Sequence, residues 1–258
     1  LLTLLAQAAA YQLDAARCPP KLAPALPSLL EDFQPFVLPN ALRCTLAGHQ
    51  GAVKCVEFVG EDGALLASGG ADHAVRLWWL LAPAERCVAS LSGHGSRVWA
   101  LASSRSGRDL VSAGADGVVC VWDLERAADG AGVAARLRAR LRAALDGDVY
   151  AVALHPAGQL LASAGYDRLV RLWDLRSLLC VRTLAGHAGA VTAVQFNAHG
   201  NLLISGGKDA TVRFWDLASG VCVRSLAAHL GEISALQLDA SGTRLLTACK
   251  DNNNRLWD

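Results

Sequence analysis

Residues 186–216 read GHAGAVTAVQFNAHGNLLISGGKDATVRFWD. In this stretch Trp215 lies six residues after Asp209, and Asp209 lies four after Ser205 and nine after Gly200. The same intervals recur along the chain. The tryptophans Trp78, Trp122, Trp173, Trp215 and Trp257 are separated by 44, 51, 42 and 42 residues. Six residues before each stands an aspartate: Asp72, Asp116, Asp167, Asp209 and Asp251. Four before each aspartate is a hydroxyl (Ser68, Ser112, Ser163, Ser205, Thr247), and nine before it a glycine (Gly63, Gly107, Gly158, Gly200, Gly242). Four columns held across five units define a repeat, and a repeat decides the architecture before any single segment is read.

Between the columns the pattern is β. Each unit has an apolar run such as Val53–Phe58 or Val191–Phe196, a glycine turn, a Leu-Leu-Ala-Ser-like run, the Asp-led turn and then Val-Arg-Leu-Trp. Short β-branched runs broken by glycine turns predict successive antiparallel hairpins. A small sheet of this kind cannot bury both faces alone. Set side by side around an axis, such sheets cover one another and leave few exposed edges.

These units resemble WD40 repeats. Gly48-His49, Gly93-His94, Gly186-His187 and Ala228-His229 match the Gly-His element, and Trp122-Asp123, Trp173-Asp174, Trp215-Asp216 and Trp257-Asp258 match the closing Trp-Asp. The resemblance implies an all-β WD40 β-propeller with repeats over 41–79, 87–123, 136–174, 180–216 and 222–258. Five repeats are fewer than the family's usual seven, so the chain is expected to be part of a seven-bladed ring. The alternative is that a strand near Ala41–Leu46 closes a five-bladed one.

The family's buried relay, carried over, gives His49–Asp72–Ser68–Trp78, His94–Asp116–Ser112–Trp122, His187–Asp209–Ser205–Trp215 and His229–Asp251–Thr247–Trp257. Ser, His and Asp together suggest a catalytic triad, but an active site needs one nucleophile placed once. A set that recurs in every complete unit satisfies buried polar groups in every blade. The third unit departs: Leu145 stands where the histidine is expected, which leaves Ser163, Asp167 and Trp173 a shorter relay. The first unit ends Trp78-Trp79 without its aspartate.

The family commonly binds peptides on the narrow face around the central channel. The corresponding positions here are Lys54, Trp99, Tyr150, Thr192 and Ser234; Ala52, Arg97, Asp148, Ala190 and Glu232; and Ala71, Ala115, Tyr166, Lys208 and Lys250. Trp99, Tyr150 and Tyr166 fall in repeats two and three beside Arg97, and Trp, Tyr and Arg are the residue types that dominate binding hot spots. The expected partner site is therefore Arg97, Trp99, Tyr150 and Tyr166, with Lys208, Glu232 and Lys250 as a charged rim. Packing of Trp99 between blades is the competing reading.

The remaining features constrain function by what they exclude. The chain has 258 residues, 53% of them hydrophobic, and a net charge of +1, which excludes a disordered polar chain and a global field for nucleic acid or anionic membrane. None of the eight cysteines forms a Cys-x-x-Cys pair, so no zinc-knuckle or redox motif is present. Cys87, Cys180 and Cys222, each seven residues before a repeat histidine, are expected to be small buried core residues, reduced in the cytoplasm or nucleus. His73, His155 and His199 are expected on surface turns, and no metal site or cofactor is expected. No phosphate-binding glycine motif occurs.

About nine extra residues between repeats two and three are expected as a loop near Ala127–Gly132. After it Arg136, Arg138, Arg140 and Arg142 alternate with apolar residues, which places them on one face of a solvated outer strand. A nucleic-acid partner for that strand is the minority reading.

Six of the eight prolines precede residue 40, which marks 1–40 as a separate lead-in. Leu1–Arg17 suits a helix, and Ser28-Leu29-Leu30-Glu31 has capping-box spacing for a second. The apolar opening Leu1–Leu13 is shorter than the ~20 residues of a spanning helix. It has no preceding basic segment, as a signal peptide would. The sequence begins at Leu1 and has no methionine, and is taken as a fragment. The lead-in is similar to the last helix of LisH–CTLH-type WD40 proteins, which act in splicing or ubiquitin-ligase assemblies. The expectation is thus a non-catalytic scaffold for proteins or peptides, with no small-molecule substrate and no membrane, in cytoplasm or nucleus. A docking subunit of a ubiquitin-ligase or splicing complex is the more specific alternative.

Overall fold

The computed structural model describes residues 44–81, 86–126, 132–143, 147–239 and 241–258. Contacts divide the chain into units Leu1–Thr45 and Leu46–Asp258, and every described strand lies in the second. The predicted lead-in helices, residues 127–131 of the predicted loop and Leu145 lie outside the described residues. No described helix is long and apolar enough to cross a membrane.

The first sheet contains β1 (Val53–Val59), β2 (Leu65–Gly70), β3 (Ala74–Trp79) and β4 (Arg86–Ser92). The second has β5 (Val98–Ser103), β6 (Asp109–Gly114), β7 (Val118–Arg126) and β8 (Val133–Arg142), and the third β9 (Val149–Leu154), β10 (Leu160–Gly165), β11 (Leu169–Asp174) and β12 (Leu179–Ala185). The fourth has β13 (Val191–Phe196), β14 (Leu202–Gly207), β15 (Thr211–Asp216) and β16 (Cys222–Ala227), and the last β17 (Ile233–Leu238), β18 (Leu245–Cys249) and β19 (Asn254–Trp257). Each is an antiparallel meander paired in chain order, four-stranded in the first four sheets and three-stranded in the fifth. These are the blades of a β-propeller, as the repeat predicted.

The turns repeat as faithfully as the strands. All five column glycines have φ of 64–73°, a left-handed conformation that costs other residues energy. The residue after each column aspartate is left-handed as well: His73, Gly117, Arg168, Ala210 and Asn252. The aspartate stabilises that bend by accepting the N–H two residues on, as in Val118 to Asp116 (3.2 Å) and Asn253 to Asp251 (3.0 Å).

The core lies between the sheets. One cluster joins the first two blades through Leu65, Leu77, Val98, Leu110 and Trp122. A second joins blades two and three (Val111, Val121, Val149, Leu161, Trp173), a third blades three and four (Ala162, Leu172, Val191, Leu203, Trp215), and a fourth blades four and five (Ile204, Val212, Ile233, Leu245). The inner strands β1, β5, β9, β13 and β17 touch in succession, and β5, β9, β13 and β17 each also pack on the second strand of the preceding blade.

The two end blades each keep one apolar face uncovered. Val56 and Phe58 on β1 are 62% and 58% exposed, whereas Leu101 on β5, which faces the relay serine Ser112 of β6 as Val56 faces Ser68 of β2, is 9% exposed. Leu246 on β18 is 47% exposed, against 2% for Ile204 at the same place in β14.

One expectation is corrected. Cys87, Cys180 and Cys222 lie on the outer strands opposite Trp78, Trp173 and Trp215, and none is buried. The cysteines stand at the start of the outer strands, next to a register shift in each ladder, whereas the recurring leucines further along the outer strands, Leu91, Leu141 and Leu184, are the positions that reach the core. The four arginines of β8 alternate outward as expected: Arg136, Arg138, Arg140 and Arg142 are all exposed. Arg138 is committed locally, pairing with Asp109 and Asp123 and donating to the Leu175 carbonyl at 2.6 Å.

Candidate partner-binding site

Beneath the candidate surface lie the relays. In the fourth blade the Trp215 indole N–H donates to Ser205 Oγ at 2.8 Å, Ser205 Oγ lies 2.7 Å from His187 Nε2, and His187 Nδ1 lies 2.9 and 3.1 Å from the two Asp209 oxygens. An indole only donates and a carboxylate only accepts, so the proton order is Trp N–H to Ser, Ser O–H to His Nε2, and His Nδ1–H to Asp. The first, second and fifth blades hold the same chain, with Trp–hydroxyl distances of 2.7, 2.9 and 3.0 Å.

Burial disfavours the charged form of His187 and holds its pKa below the ordinary value. Burial also pushes the Asp209 carboxyl up, but the hydrogen bonds from His187, the Ala188 N–H and Thr211 outweigh it and hold Asp209 below its ordinary value. The third blade differs from its predicted shorter relay. Trp173 still donates to Ser163 at 2.8 Å, but Asp167 is engaged by Arg171, which lies 2.5 Å away and also donates to the Ala143 carbonyl. A guanidinium takes the place of the absent imidazole.

The rim residues share one structural cause. Every inner strand carries a register shift near its start: between Val53 and Cys55, Val98 and Ala100, Val191 and Ala193, Ile233 and Ala235, and opposite Ala164 and Gly165 on β9. The residues skipped are Lys54, Trp99, Tyr150, Thr192 and Ser234, the first set of candidate positions. A bulged residue has no ladder partner, and the bend re-aims its side chain.

Those side chains make a continuous strip. Trp99 is half-buried; its indole N–H donates to Asp148 Oδ2 at 2.8 Å, and its ring meets Tyr150 edge-on at 6.0 Å. Trp99 therefore spans blades two and three, and the blade-packing reading describes part of its role. Arg97 and Lys54 lie over its ring at 5.5 and 5.8 Å, and Lys208 lies over Tyr150 at 5.5 Å. Glu232 ties Lys208 (3.5 Å) to Lys250 (3.1 Å). Burial pushes its carboxyl up, but the two ammonium groups outweigh this and hold it below its ordinary value. Burial, and then the Asp148 charge, push the Tyr150 phenol up.

Tyr166 stands beside the strip, 60% exposed, against a cavity of about 540 Å³ that Arg168, Arg171, Gly189 and Lys208 also line. Sequence reasoning passed over Lys54, Asp148 and Arg168 as site residues. The first two were already in the mapped columns, and Arg168 follows a column aspartate.

Of the histidines outside the relays, His155 caps its own turn by accepting the Ala157 N–H at 3.0 Å, and bridges to the Gly200 carbonyl of the next blade at 2.9 Å.

The family model described as WD domain, G-beta repeat matches residues 40–78, 85–123, 136–174, 178–216 and 220–258. Among similar proteins is a "Ribosome biogenesis protein WDR12 homolog" of Chlamydomonas reinhardtii, 32% identical over 167 residues, which covers 55% of this chain and 38% of that protein. The Nematostella vectensis homologue of the same name is 37% identical over 55% of this chain and 32% of its own length. "Pre-mRNA-processing factor 19 homolog 2" of Arabidopsis thaliana is 32% identical over 55% of this chain and 26% of its own length. The matches thus span between about a quarter and two fifths of these relatives.

Proposed function

The chain belongs to the WD-domain, G-beta-repeat family, and from that premise we propose that it is a non-catalytic scaffold that holds a partner protein through a peptide laid along the rim strip. The observation that carries this reading is the run from Lys54 and Arg97 through Trp99 and Tyr150 to Lys208, Glu232 and Lys250. It offers aromatic faces flanked by paired charges, on bulged, turn or strand-entry residues. Rigid aromatic rings bury much area at small entropy cost, and already-paired charges give a peptide a register. The Ser–His–Asp sets support the non-catalytic side of the proposal. Their serines are nearly or fully buried, and each is held between an indole and an imidazole.

The relatives' names speak of ribosome biogenesis, pre-mRNA processing and mitochondrial division. No compartment is common to them. Within the proposal the chain is a subunit of a multi-protein assembly in cytoplasm or nucleus, and a splicing-type complex is the more specific assignment that the pre-mRNA-processing relative favours.

The test is affinity purification of the chain beside Trp99→Ala and Tyr166→Ala, with co-eluting proteins quantified. Loss of a hot-spot aromatic costs about 2 kcal/mol or more, roughly thirty-fold in Kd, so specific partners drop out of the variants' eluates. Recovery of the same partners in equal amounts by folded variants defeats the proposal.

A further inference from the structure

In four blades the residue two before the column aspartate is glycine: Gly70, Gly114, Gly165 and Gly207. In the blades with a histidine relay the reason is close approach. A Cβ on Gly114 would stand 2.5 Å from His94 Nδ1 and 2.6 Å from Asp116 Oδ1, and Gly70 and Gly207 are similarly crowded. In the fifth blade that place is taken by Cys249. Its sulfur, a ring nitrogen of His229 and an Asp251 carboxylate oxygen all lie within 4.8 Å of one another, and Nδ1 is the nitrogen that faces Asp251. The substitution leaves a trace in the relay. His229 Nδ1 meets only Oδ2 of Asp251, at 3.0 Å, where each of the other three imidazoles meets both oxygens.

We propose that His229, Cys249 and Asp251 form a binding site for a zinc-class divalent metal ion. One thiolate, one imidazole and one carboxylate are a donor set that such ions take, with the fourth position left for water.

The surroundings accommodate the required proton shift. For Nδ1 to ligate, the ring proton must move to Nε2 and point at Thr247 Oγ1, 2.8 Å away. Thr247 must then donate elsewhere, and the Arg255 carbonyl lies 3.3 Å from its hydroxyl. Thr247 would thus fix the tautomer and the ring from behind, as outer-shell partners of metal-bound histidines do. The Asn253 N–H holds Asp251 Oδ1 at 3.0 Å. Binding displaces one proton, from the thiol, and the imidazole stays neutral. The ion's two charges meet one thiolate and one carboxylate, and Arg255, 3.8 Å from Asp251 Oδ2, is the cation paired with that carboxylate.

The test titrates the reduced, tag-free, metal-stripped chain with Co²⁺ and then Zn²⁺, beside Cys249→Gly and Cys249→Ser. The glycine variant restores the residue found in the other four blades, and the serine variant keeps the volume without the soft donor. Expected for the unsubstituted chain are one equivalent of metal, a thiolate-to-cobalt charge-transfer band that Zn²⁺ abolishes, and a Zn²⁺-dependent rise in Tm. Both variants lose the band and the rise. The proposal is overturned if the unsubstituted chain gives no thiolate band, or if Cys249→Gly keeps the band and the stoichiometry.

Discussion

Ser205 is completely buried between Trp215 and His187 and serves both at once. Replacing it by alanine strands an indole N–H and an imidazole nitrogen away from water, so Ser205→Ala should lower unfolding free energy by about 1–3 kcal/mol, read as a lower denaturant midpoint at unchanged slope. The relay also sets the response to acid. His187 is held neutral, with its pKa depressed. The stability it contributes is complete above its ordinary value near 6.5 and is lost as pH falls through the folded value. Asp72, Asp116 and Asp209, depressed as well, add losses only below the ordinary carboxylate value near 4. A melting temperature flat between about pH 7 and pH 8, falling first below ~6.5 and again below ~4, is expected; one that rises as pH falls from ~6.5 to ~5 contradicts the neutral state of His187. The four full relays were legible in the sequence because their members sit at fixed intervals. The Asp167–Arg171 substitute was not. Arg171 occupies the same column as Arg76, Arg213 and Arg255, and only its position in space shows that it serves an aspartate with no histidine.

At the scale of the element, the Asp-led turn puts Ala210 at φ 61°, where the second blade has Gly117 at 73°. An L-residue there costs roughly 1 kcal/mol that glycine avoids. Ala210→Gly should therefore raise the denaturant midpoint by up to about that free energy, and a fall would mean that chain entropy outweighs the strain. The strands themselves could be placed from alternation and turn residues. What alternation could not convey is where a ladder shifts register. The outer-strand cysteines repeat with the same regularity as core residues and yet none is buried, because each sits beside a register shift, while Leu91 and Leu184 further along the same strands are buried. The rim strip was half visible. Trp99, Tyr150 and the lysines fell out of aligned columns, whereas the Asp148 bond to Trp99 and the shared Glu232 depend on how neighbouring blades approach.

At the scale of the whole molecule, the exposed apolar residues of the two end blades are the feature that bears on self-association. Val56 and Phe58 on one end blade and Leu246 and Leu256 on the other are exposed where their counterparts between blades are covered. Further blades in a seven-bladed ring would cover both. The two flanks are different surfaces, so a contact between them would be head to tail, the arrangement that builds open-ended assemblies. Sedimentation velocity should show concentration-dependent self-association that the double variant Val56→Glu, Leu256→Glu suppresses; an unchanged profile would show the flanks to be inert. The bulges carry a different consequence. Because Lys54, Trp99, Tyr150, Thr192 and Ser234 stand outside the ladders, exchanging them disturbs neither strand pairing nor the hydrogen-bonded chain below. A rewritten set at those five sites has only to replace the blade-to-blade bonds of Trp99 to Asp148 and of Thr192 to the Ile233 carbonyl, and the same ladders can then carry a different client.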